Sequence, residues 1–197
     1  MAEELVTTVG KTEVAVYVVL AQLTKLRQLA SGFVYDAQKN SLEITPNVKL
    51  EALAELLDEV DFKEHKMVIW TSFRHEITLI EKLIREKFNG PSFVALDGSV
   101  PQDKRQSIIK LFQENDAVRF FIGQQHAGGL GITLTAADYC VFFSNDYSPE
   151  IRLQAEDRLH RIGQRNAVTY VDLIVRGTID RHIKTMLATK QRLSDVL

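Results

Sequence analysis

From Lys66 onward, short apolar segments alternate with longer amphipathic ones. The apolar segments are rich in Val, Ile, Phe and Tyr, as in strands buried on both faces of a sheet. The segments between them carry apolar residues three and four positions apart, which is the spacing of a helix with one buried face. Strands that alternate with helices predict an α/β fold with a mostly parallel, doubly wound sheet flanked by helices. The predicted strands are 67–70, 93–96, 118–123, 139–144 and 168–175, and the predicted helices are 75–88, 101–113, 150–161 and 178–193.

Upstream of this sheet, the sequence predicts two helices and a small hairpin. Residues 12–30 have leucines at helical spacing, and Gly32 follows them. The segments FVYD and SLEI flank a polar turn at 38–40, which is typical of a hairpin. Residues 48–60 form the second amphipathic helix. We therefore divide the chain into two parts. Residues 66–197 form the α/β domain, and residues 1–65 form a helical segment and hairpin that pack on it.

Composition narrows the class of protein. The 197 residues are 45% hydrophobic and 25% charged, a globular balance that argues against disorder. The 24 basic and 26 acidic residues give a net charge of −2, yet the segment 151–197 is basic, so an anionic partner is expected there. The single cysteine, Cys140, excludes a disulfide framework and is expected to be a buried thiol. The longest apolar run, 14–21, is too short to span a bilayer, and the acidic N-terminus does not resemble a signal peptide.

The loops that follow the predicted strands are the first place to look for a ligand site, because ligands of parallel sheets bind at the carboxyl ends of the strands. These loops are rich in Gly, Ser and Thr, which suit backbone and hydroxyl contacts to phosphate but also suit ordinary turns. They are TSFRHE (71–76), DGSVPQ (97–102), GQQHAGGLGITLT (123–135) and SNDYSPE (144–150).

The segment QAEDRLHRIGQ (154–164) is the most specific pattern in the chain. If the helix predicted at 150–161 is continuous, Gln154, Arg158 and Arg161 project from one face at steps of four and three. Two guanidinium groups on one stripe would clamp a phosphate, since each offers several donors and keeps its charge. The alternative is a solvated helix face on which Asp157 pairs with Arg161. Both interpretations remain open on spacing alone.

The order of these segments resembles a known family. GGLGITLTAADYCVFF (128–143) followed by QAEDRLHRIGQ resembles motifs V and VI of the Swi/Snf-type branch of superfamily 2 helicases. KMVIWTSF (66–73) resembles motif IV, and LDGSVPQDKRQSIIKLF (96–112) resembles the family's LDG segment. LTKLRQLASGFV (23–34) is similar to the helical segment that precedes the second motor lobe. The resemblance covers residues 20–185 and implies the second, C-terminal RecA-like lobe of an ATP-dependent DNA translocase or helicase.

The resemblance also implies roles for individual residues. Arg158 and Arg161 would be arginine fingers for ATP hydrolysis, with Gln154 positioning them. The residues implied to contact the nucleotide are Gly129, Gly131 and Thr133. Those implied to touch DNA phosphates are Ser72, Gly98, Ser99 and Thr135. The sequence departs from the family at Thr133, where asparagine is usual, and at Thr71–Ser72, where Ser-Gln is usual.

The implied cofactors are ATP and Mg²⁺ in a two-lobe enzyme, with no metal bound by this lobe. The implied partners are DNA, as duplex and without sequence preference, and an N-terminal RecA-like lobe, with no membrane. The expected location is the cytoplasm of a bacterial or phage-infected cell, or otherwise the nucleus.

The sequence carries no phosphate loop of its own. The tripeptide Gly10-Lys11-Thr12 would need a glycine five places earlier, where Leu5 stands. The acidic run 58–61 ends a predicted helix rather than a buried strand, so it does not match the acid pair that holds Mg²⁺. The isolated chain is therefore expected to be inactive as an ATPase.

Two other classes of function compete with the motor lobe. A non-catalytic nucleic-acid-binding or regulatory module could retain the RecA-like fold, although it would not need the Gln-Arg-Arg pattern. A free-standing nucleotide enzyme with a Rossmann-like sheet fails for want of any phosphate loop, and the third glycine of a dinucleotide fingerprint would fall on Leu134. The five histidines are scattered and predict no metal site. Trp70 lies in a predicted buried strand and is expected in the core.

Overall fold

Five parallel strands form the central sheet of the computed structural model, which describes residues 10–88, 93–128 and 131–194. A separate two-stranded antiparallel hairpin follows the first helix. The elements are α1 (Gly10–Ala30), β1 (Phe33–Tyr35), β2 (Ser41–Glu43), α2 (Val48–Glu59), β3 (Met67–Thr71), α3 (Arg74–Lys87), β4 (Phe93–Leu96), α4 (Gln102–Glu114), β5 (Phe120–Gln124), β6 (Tyr139–Phe142), α5 (Pro149–Glu156), β7 (Thr169–Asp172) and α6 (Ile179–Ser194).

The strand order is β4-β5-β3-β6-β7, with every neighbouring pair parallel. The chain leaves β3 for the edge strand β4, returns to β5 beside β3, and then crosses to β6 on the other side of β3. This order confirms the doubly wound α/β fold. The direction of winding reverses at β3, so the loops after β3, β5 and β6 are neighbours at the carboxyl edge of the sheet.

Helices and connecting segments cover both faces of the sheet. On one face, leucines of α2 and isoleucines of α3 pack against Ile69, Phe120 and Val141. On the other face, α4, α5 and the segment 132–137 pack against Trp70 and Phe142. Trp70 is 1% exposed, which confirms its prediction as a core residue. Cys140 is also buried as predicted, and burial raises the pKa of its thiol well above the usual value.

The turn from α1 into the hairpin depends on a glycine. Gly32 has φ +79°, and a Cβ there would stand 2.2 Å from the side-chain Nδ2 of Asn47. Asn47 is the N-cap of α2, where its Oδ1 accepts hydrogen bonds from Lys49 N and Leu50 N at 3.2 Å each. Its Nδ2 donates to the carbonyl of Ser31 at 3.1 Å. One asparagine thus joins the end of α1 to the beginning of α2.

The predicted helix at 150–161 is too long by five residues, because α5 ends at Glu156. A turn follows in which the Leu159 and His160 amides both donate to the Glu156 carbonyl. The carbonyl of Arg158 accepts from Leu134 N at 2.8 Å, so it is used outside the helix. Gly163, with φ +106°, turns the chain further. The prediction that Gln154, Arg158 and Arg161 share one helix face is therefore wrong.

Candidate functional site

The two arginines of the segment 154–164 lie beside the segment that begins at Gly131. Arg161 is exposed, and its Nη1 is 3.4 Å from both the Gly131 carbonyl and the Thr133 Oγ1. Arg158 is 9% exposed. Burial lowers the pKa of Arg158, and the positive charge of Arg161 lowers it further, whereas Asp157 acts in the opposite direction. The structure therefore places the Arg161 guanidinium next to Gly131 and Thr133, and Arg158 lies close enough for the Arg161 charge to lower its pKa.

Backbone and core contacts hold these two segments together. Leu134 and Leu159 are fully buried in the same core cluster, and the Leu134 amide donates to the carbonyl of Arg158 at 2.8 Å. Gln164 Nε2 donates to the carbonyl of Ala137 at 2.8 Å and to that of Leu159 at 3.3 Å. The arginines are thus carried by a turn that is fixed to 131–137, rather than by a freely projecting helix.

The two glycines predicted to contact the nucleotide, and Gln154, differ in how far the structure describes them. Gly131 has φ +59°, a backbone conformation that glycine adopts without strain, and a Cβ would meet nothing within 4 Å. Gly129 lies outside the described residues. Gln154 is exposed in the last turn of α5.

Three of the four predicted DNA contacts lie at the carboxyl edge of the sheet. Ser72 follows β3, and Gly98 and Ser99 follow β4. Gln124, at the end of β5 between those strands, accepts from Gly98 N at 3.4 Å and donates to the Ser72 carbonyl at 3.3 Å. One amide side chain therefore links the two loops.

The loop after β4 is also fixed by a carboxylate. Asp97 Oδ1 accepts from Ser99 N at 2.8 Å and from Ser99 Oγ at 2.5 Å, and its Oδ2 lies 2.8 Å from Arg74 Nε. Partial burial alone would raise the pKa of Asp97, but the Ser99 hydrogen bonds and the Arg74 charge together hold it below the usual value. The loop is thus ordered around an ionised Asp97 at neutral pH.

Thr135, the fourth predicted DNA contact, lies elsewhere. Its Oγ1 accepts from Gln113 Nε2 at 3.2 Å, and Gln113 Oε1 accepts from Ala136 N at 2.9 Å. Gln113 is in the last turn of α4, which leads to the beginning of β5. Thr135 is therefore near the amino edge of the sheet, opposite Ser72 and Ser99. The structure does not bring the four predicted DNA contacts into one group.

The carboxylate that organises the loop after β3 was not predicted from the sequence. Glu76 is fully buried, and its Oε2 accepts from Ser72 N at 2.9 Å, Phe73 N at 3.0 Å and Ser144 Oγ at 2.8 Å. These contacts join the loops after β3 and β6. The available signal was an acid in the first turn of a predicted helix, where a carboxylate satisfies free backbone amides.

Two further properties concern the part of the chain that the structure describes. No group of three or more His, Cys, Asp or Glu side chains is placed there to hold a metal ion. No helix in the described ranges is both long enough and apolar enough to cross a membrane.

A doubly wound, five-stranded parallel sheet with helices on both faces defines a RecA-like fold. The model of the helicase conserved C-terminal domain matches residues 48–163. The chain belongs to this family and is the C-terminal lobe of a Swi/Snf-type superfamily 2 helicase.

Individual relatives agree with this assignment. The chromatin-remodeling ATPase INO80 of Candida glabrata is 35% identical over 154 residues, which are 78% of this chain and 10% of that protein. INO80 of Saccharomyces cerevisiae is 34% identical over 154 residues, again 78% of this chain and 10% of that protein. The crystal structure of the C-terminal part of the Fun30 ATPase domain has a TM-score of 0.67 and 31% identity, covering 72% of this chain and 46% of that one. The chain thus spans about a tenth of the length of its INO80 relatives.

Proposed function

We propose that this lobe supplies arginine fingers and part of the DNA track to an ATP-dependent, two-lobe DNA translocase. The observation that supports the proposal is the Arg161 guanidinium beside Gly131 and Thr133, with the positive charge of Arg158 nearby. ATP and Mg²⁺ would bind between this lobe and an N-terminal RecA-like lobe. The relatives are named ATPases, which supports hydrolysis as the reaction.

The geometry of Arg161 suits a group that acts across a cleft. Its Nη1 faces two acceptors, a carbonyl and a hydroxyl, both neutral and both at the long distance of 3.4 Å. A γ-phosphate is a stronger acceptor than either, so the guanidinium would exchange these contacts for charge-assisted ones. Arg158, held by the buried turn, raises the positive potential at the same place. Charge that develops on the transferred phosphoryl group would then be stabilised in the transition state.

The DNA contacts proposed for this lobe are Ser72, Gly98 and Ser99. These residues lie on adjoining loops and offer backbone amides and hydroxyl groups, which bind phosphates without reading sequence. Thr135 would contact a separate stretch of the backbone or none, because it lies toward the opposite edge. The proposed substrate is duplex DNA, which fits relatives named as chromatin-remodeling ATPases. Those names favour action in the nucleus, and nothing in the comparisons supports the cytoplasmic expectation.

The test of the arginine finger uses the complete two-lobe protein with saturating DNA. Arg161→Ala is expected to lower kcat by about 10³–10⁵ while the affinity for ATP stays near that of the wild type. Arg161→Lys is expected to restore little, because an ammonium group cannot reproduce the planar fork. Steady-state turnover and nucleotide titration measure the two quantities separately.

Arg165→Ala is the matched control, since Arg165 is an exposed arginine just beyond the segment. Its backbone amide donates to Gln164 Oε1, and the substitution leaves that amide in place. It is expected to keep wild-type kcat. Near-normal kcat in Arg161→Ala would remove the arginine-finger assignment. That result would favour a non-catalytic nucleic-acid-binding or regulatory module that keeps the RecA-like fold.

A further inference from the structure

Arg27 of α1 is inserted between two loops of the carboxyl edge. Its side chain is 11% exposed, and its Cζ lies 5.1 Å from the ring centroid of Phe73 and 5.0 Å from that of Tyr147. Its Nη2 donates to the carbonyl of Asn145 at 2.8 Å and lies 3.6 Å from Asp146 Oδ2. Phe73 follows β3, whereas 145–147 follow β6. One cation from outside the sheet therefore contacts both loops.

Asp146 extends this contact to a third loop. Its Oδ2 lies 3.1 Å from His126 Nε2, and its Oδ1 accepts from Ser148 N at 3.0 Å. Burial alone would raise the pKa of Asp146, but bonds from His126 and Ser148 and the charge of Arg27 hold it below the usual value. His126 belongs to the short 3₁₀ turn Gln125–Gly128 that follows β5 and precedes Gly131. The carboxylate thus joins Arg27 to the entry of the segment proposed to meet the nucleotide.

The loop after β3 carries the proposed DNA contact nearest to Arg27. Phe73 is the immediate neighbour of Ser72, whose amide is bonded to Ser144 Oγ at 2.8 Å. A guanidinium can stack on rings with its faces while its edge donates to the Asn145 carbonyl and approaches Asp146. An ammonium can pair with the carboxylate but cannot stack between two rings. The arrangement therefore uses the planar shape of arginine as well as its charge.

We propose that Arg27 is a positioning residue that couples the DNA-side loop at Ser72 to the nucleotide-side loop that begins after β5. The inference rests on the proposed function, because it assigns DNA and ATP to these two loops. Arg27 touches neither ligand. It holds both loops in the relative arrangement in which DNA contact on one favours a productive nucleotide geometry on the other.

The test again uses the complete two-lobe protein and compares kcat with KM for ATP at saturating DNA. Arg27→Ala is expected to lower kcat on the order of tenfold to a hundredfold, the effect of a small misplacement of reacting groups, while KM for ATP stays at the wild-type value. Arg27→Lys is expected to be nearly as slow, because it keeps the charge but loses the stacking. Tyr147→Leu, which removes one ring, is expected to lower kcat in the same direction.

Arg85→Ala is the matched control. Arg85 also contacts one ring, with Cζ 4.7 Å from the Phe93 centroid, and it pairs with Glu81 on the same helix, away from these loops. It is expected to retain wild-type kcat. Amide hydrogen exchange on the folded variants supplies a second readout, with faster exchange expected after Arg27→Ala in residues 72–73 and 124–126 as well as in α1.

An anchoring role for α1 alone predicts otherwise. It would lower the melting temperature and speed exchange in α1 only, with kcat unchanged, and that result would overturn the inference. Full rescue by Arg27→Lys would also overturn it, since charge would then suffice. If Arg27→Ala fails to fold, Arg27→Lys and Tyr147→Leu decide the question. If DNA does not stimulate turnover of the wild type, the proposed function and this inference are refuted together. If DNA stimulates the wild type and the variants equally, the inference alone is refuted.

Discussion

At the scale of single residues, Gly123 shows how little space the centre of the sheet contains. It lies in β5 opposite Trp70 of β3 and Leu96 of β4. A Cβ at this position would stand 2.8 Å from Phe121 Cε1 and 3.0 Å from Trp70 Cζ3. Both rings are fully buried, so neither can move aside without disturbing the core.

Gly123→Ala is therefore expected to lower the free energy of unfolding by about 1–3 kcal/mol, the usual cost of overpacking a core. Gly98→Ala is the control, because a Cβ there meets nothing within 4 Å. It is expected to change the free energy of unfolding by no more than about 0.5 kcal/mol. Chemical denaturation of both variants measures the difference, and equal effects would contradict the packing argument.

Residue identity was more predictable than residue geometry. Arg158 and Arg161 could be selected from the sequence, since their pattern resembles a specific motif, and the structure places Arg161 beside Gly131 and Thr133. Glu76 was missed as a link between two loops because one of its partners, Ser144, lies 68 positions away along the chain. Arg27 was missed for the same reason, since its contacts lie more than forty positions away along the chain. No local spacing encodes such contacts.

At the scale of elements, a buried ion pair joins α2 to α6. Lys49 Nζ lies 2.8 Å from Asp180 Oδ2, and the two residues are 2% and 9% exposed. Asp180 Oδ2 also accepts from Val175 N at 3.1 Å, just before α6. Removing one member of such a pair leaves the other charge buried without compensation.

Asp180→Asn is expected to lower the free energy of unfolding by about 3–5 kcal/mol. The double variant Lys49→Met/Asp180→Asn is expected to lose less than the single variant, because no charge is left in the interior. Urea denaturation of the two singles and the double gives the coupling free energy directly. Asp58→Asn is the control, since Asp58 is an exposed partner of Lys87 and should cost about 1 kcal/mol or less. A double variant that loses as much as the sum of the singles would contradict this account.

Periodicity predicted most elements because their residues obey local rules. The strand 93–96 has the predicted bounds, and α2 and α3 differ from prediction by one residue at one or both ends. α5 is the instructive failure. The helical spacing of its sequence continues beyond Glu156. In the structure, however, the Leu134 amide donates to the carbonyl of Arg158, and Leu159 is buried in the core. A long-range contact therefore decides where this helix ends, which local spacing cannot indicate. The division of the chain at residue 65 stays a prediction.

At the scale of the whole molecule, the isolated chain is expected not to turn over ATP. The arginines are proposed to act in the transition state, but the sequence has no phosphate loop and no acid pair for Mg²⁺. A steady-state assay with and without duplex DNA, on rigorously purified protein, measures this. The matched control is Arg161→Ala in the same chain, which should show the same background rate. DNA-stimulated turnover that disappears in this variant would contradict the prediction.

The position of Thr135 is also a property of the whole molecule. Its sequence neighbours place it after a strand, as with the other predicted DNA contacts. Because β5 and β6 run parallel, the connection between them passes from the carboxyl end of β5 to the amino end of β6, and Thr135 lies near the end of that connection. Its late position in a long connection therefore separates Thr135 from Ser72 and Ser99.

The central position of β3 has a consequence for synthesis on the ribosome. Strands β3, β4 and β5 follow one another closely, so they can pair soon after Gln124 leaves the exit tunnel. The other side of β3 then presents unpaired amides and carbonyls, because its partner β6 begins only at Tyr139 and is held in place by α5 and β7. During that interval the nascent sheet has an open apolar edge in its middle, the kind of edge that recruits strands from other chains. A pause in translation after Gln124 has left the exit tunnel, and before Tyr139 has done so, would therefore expose this lobe to misassembly.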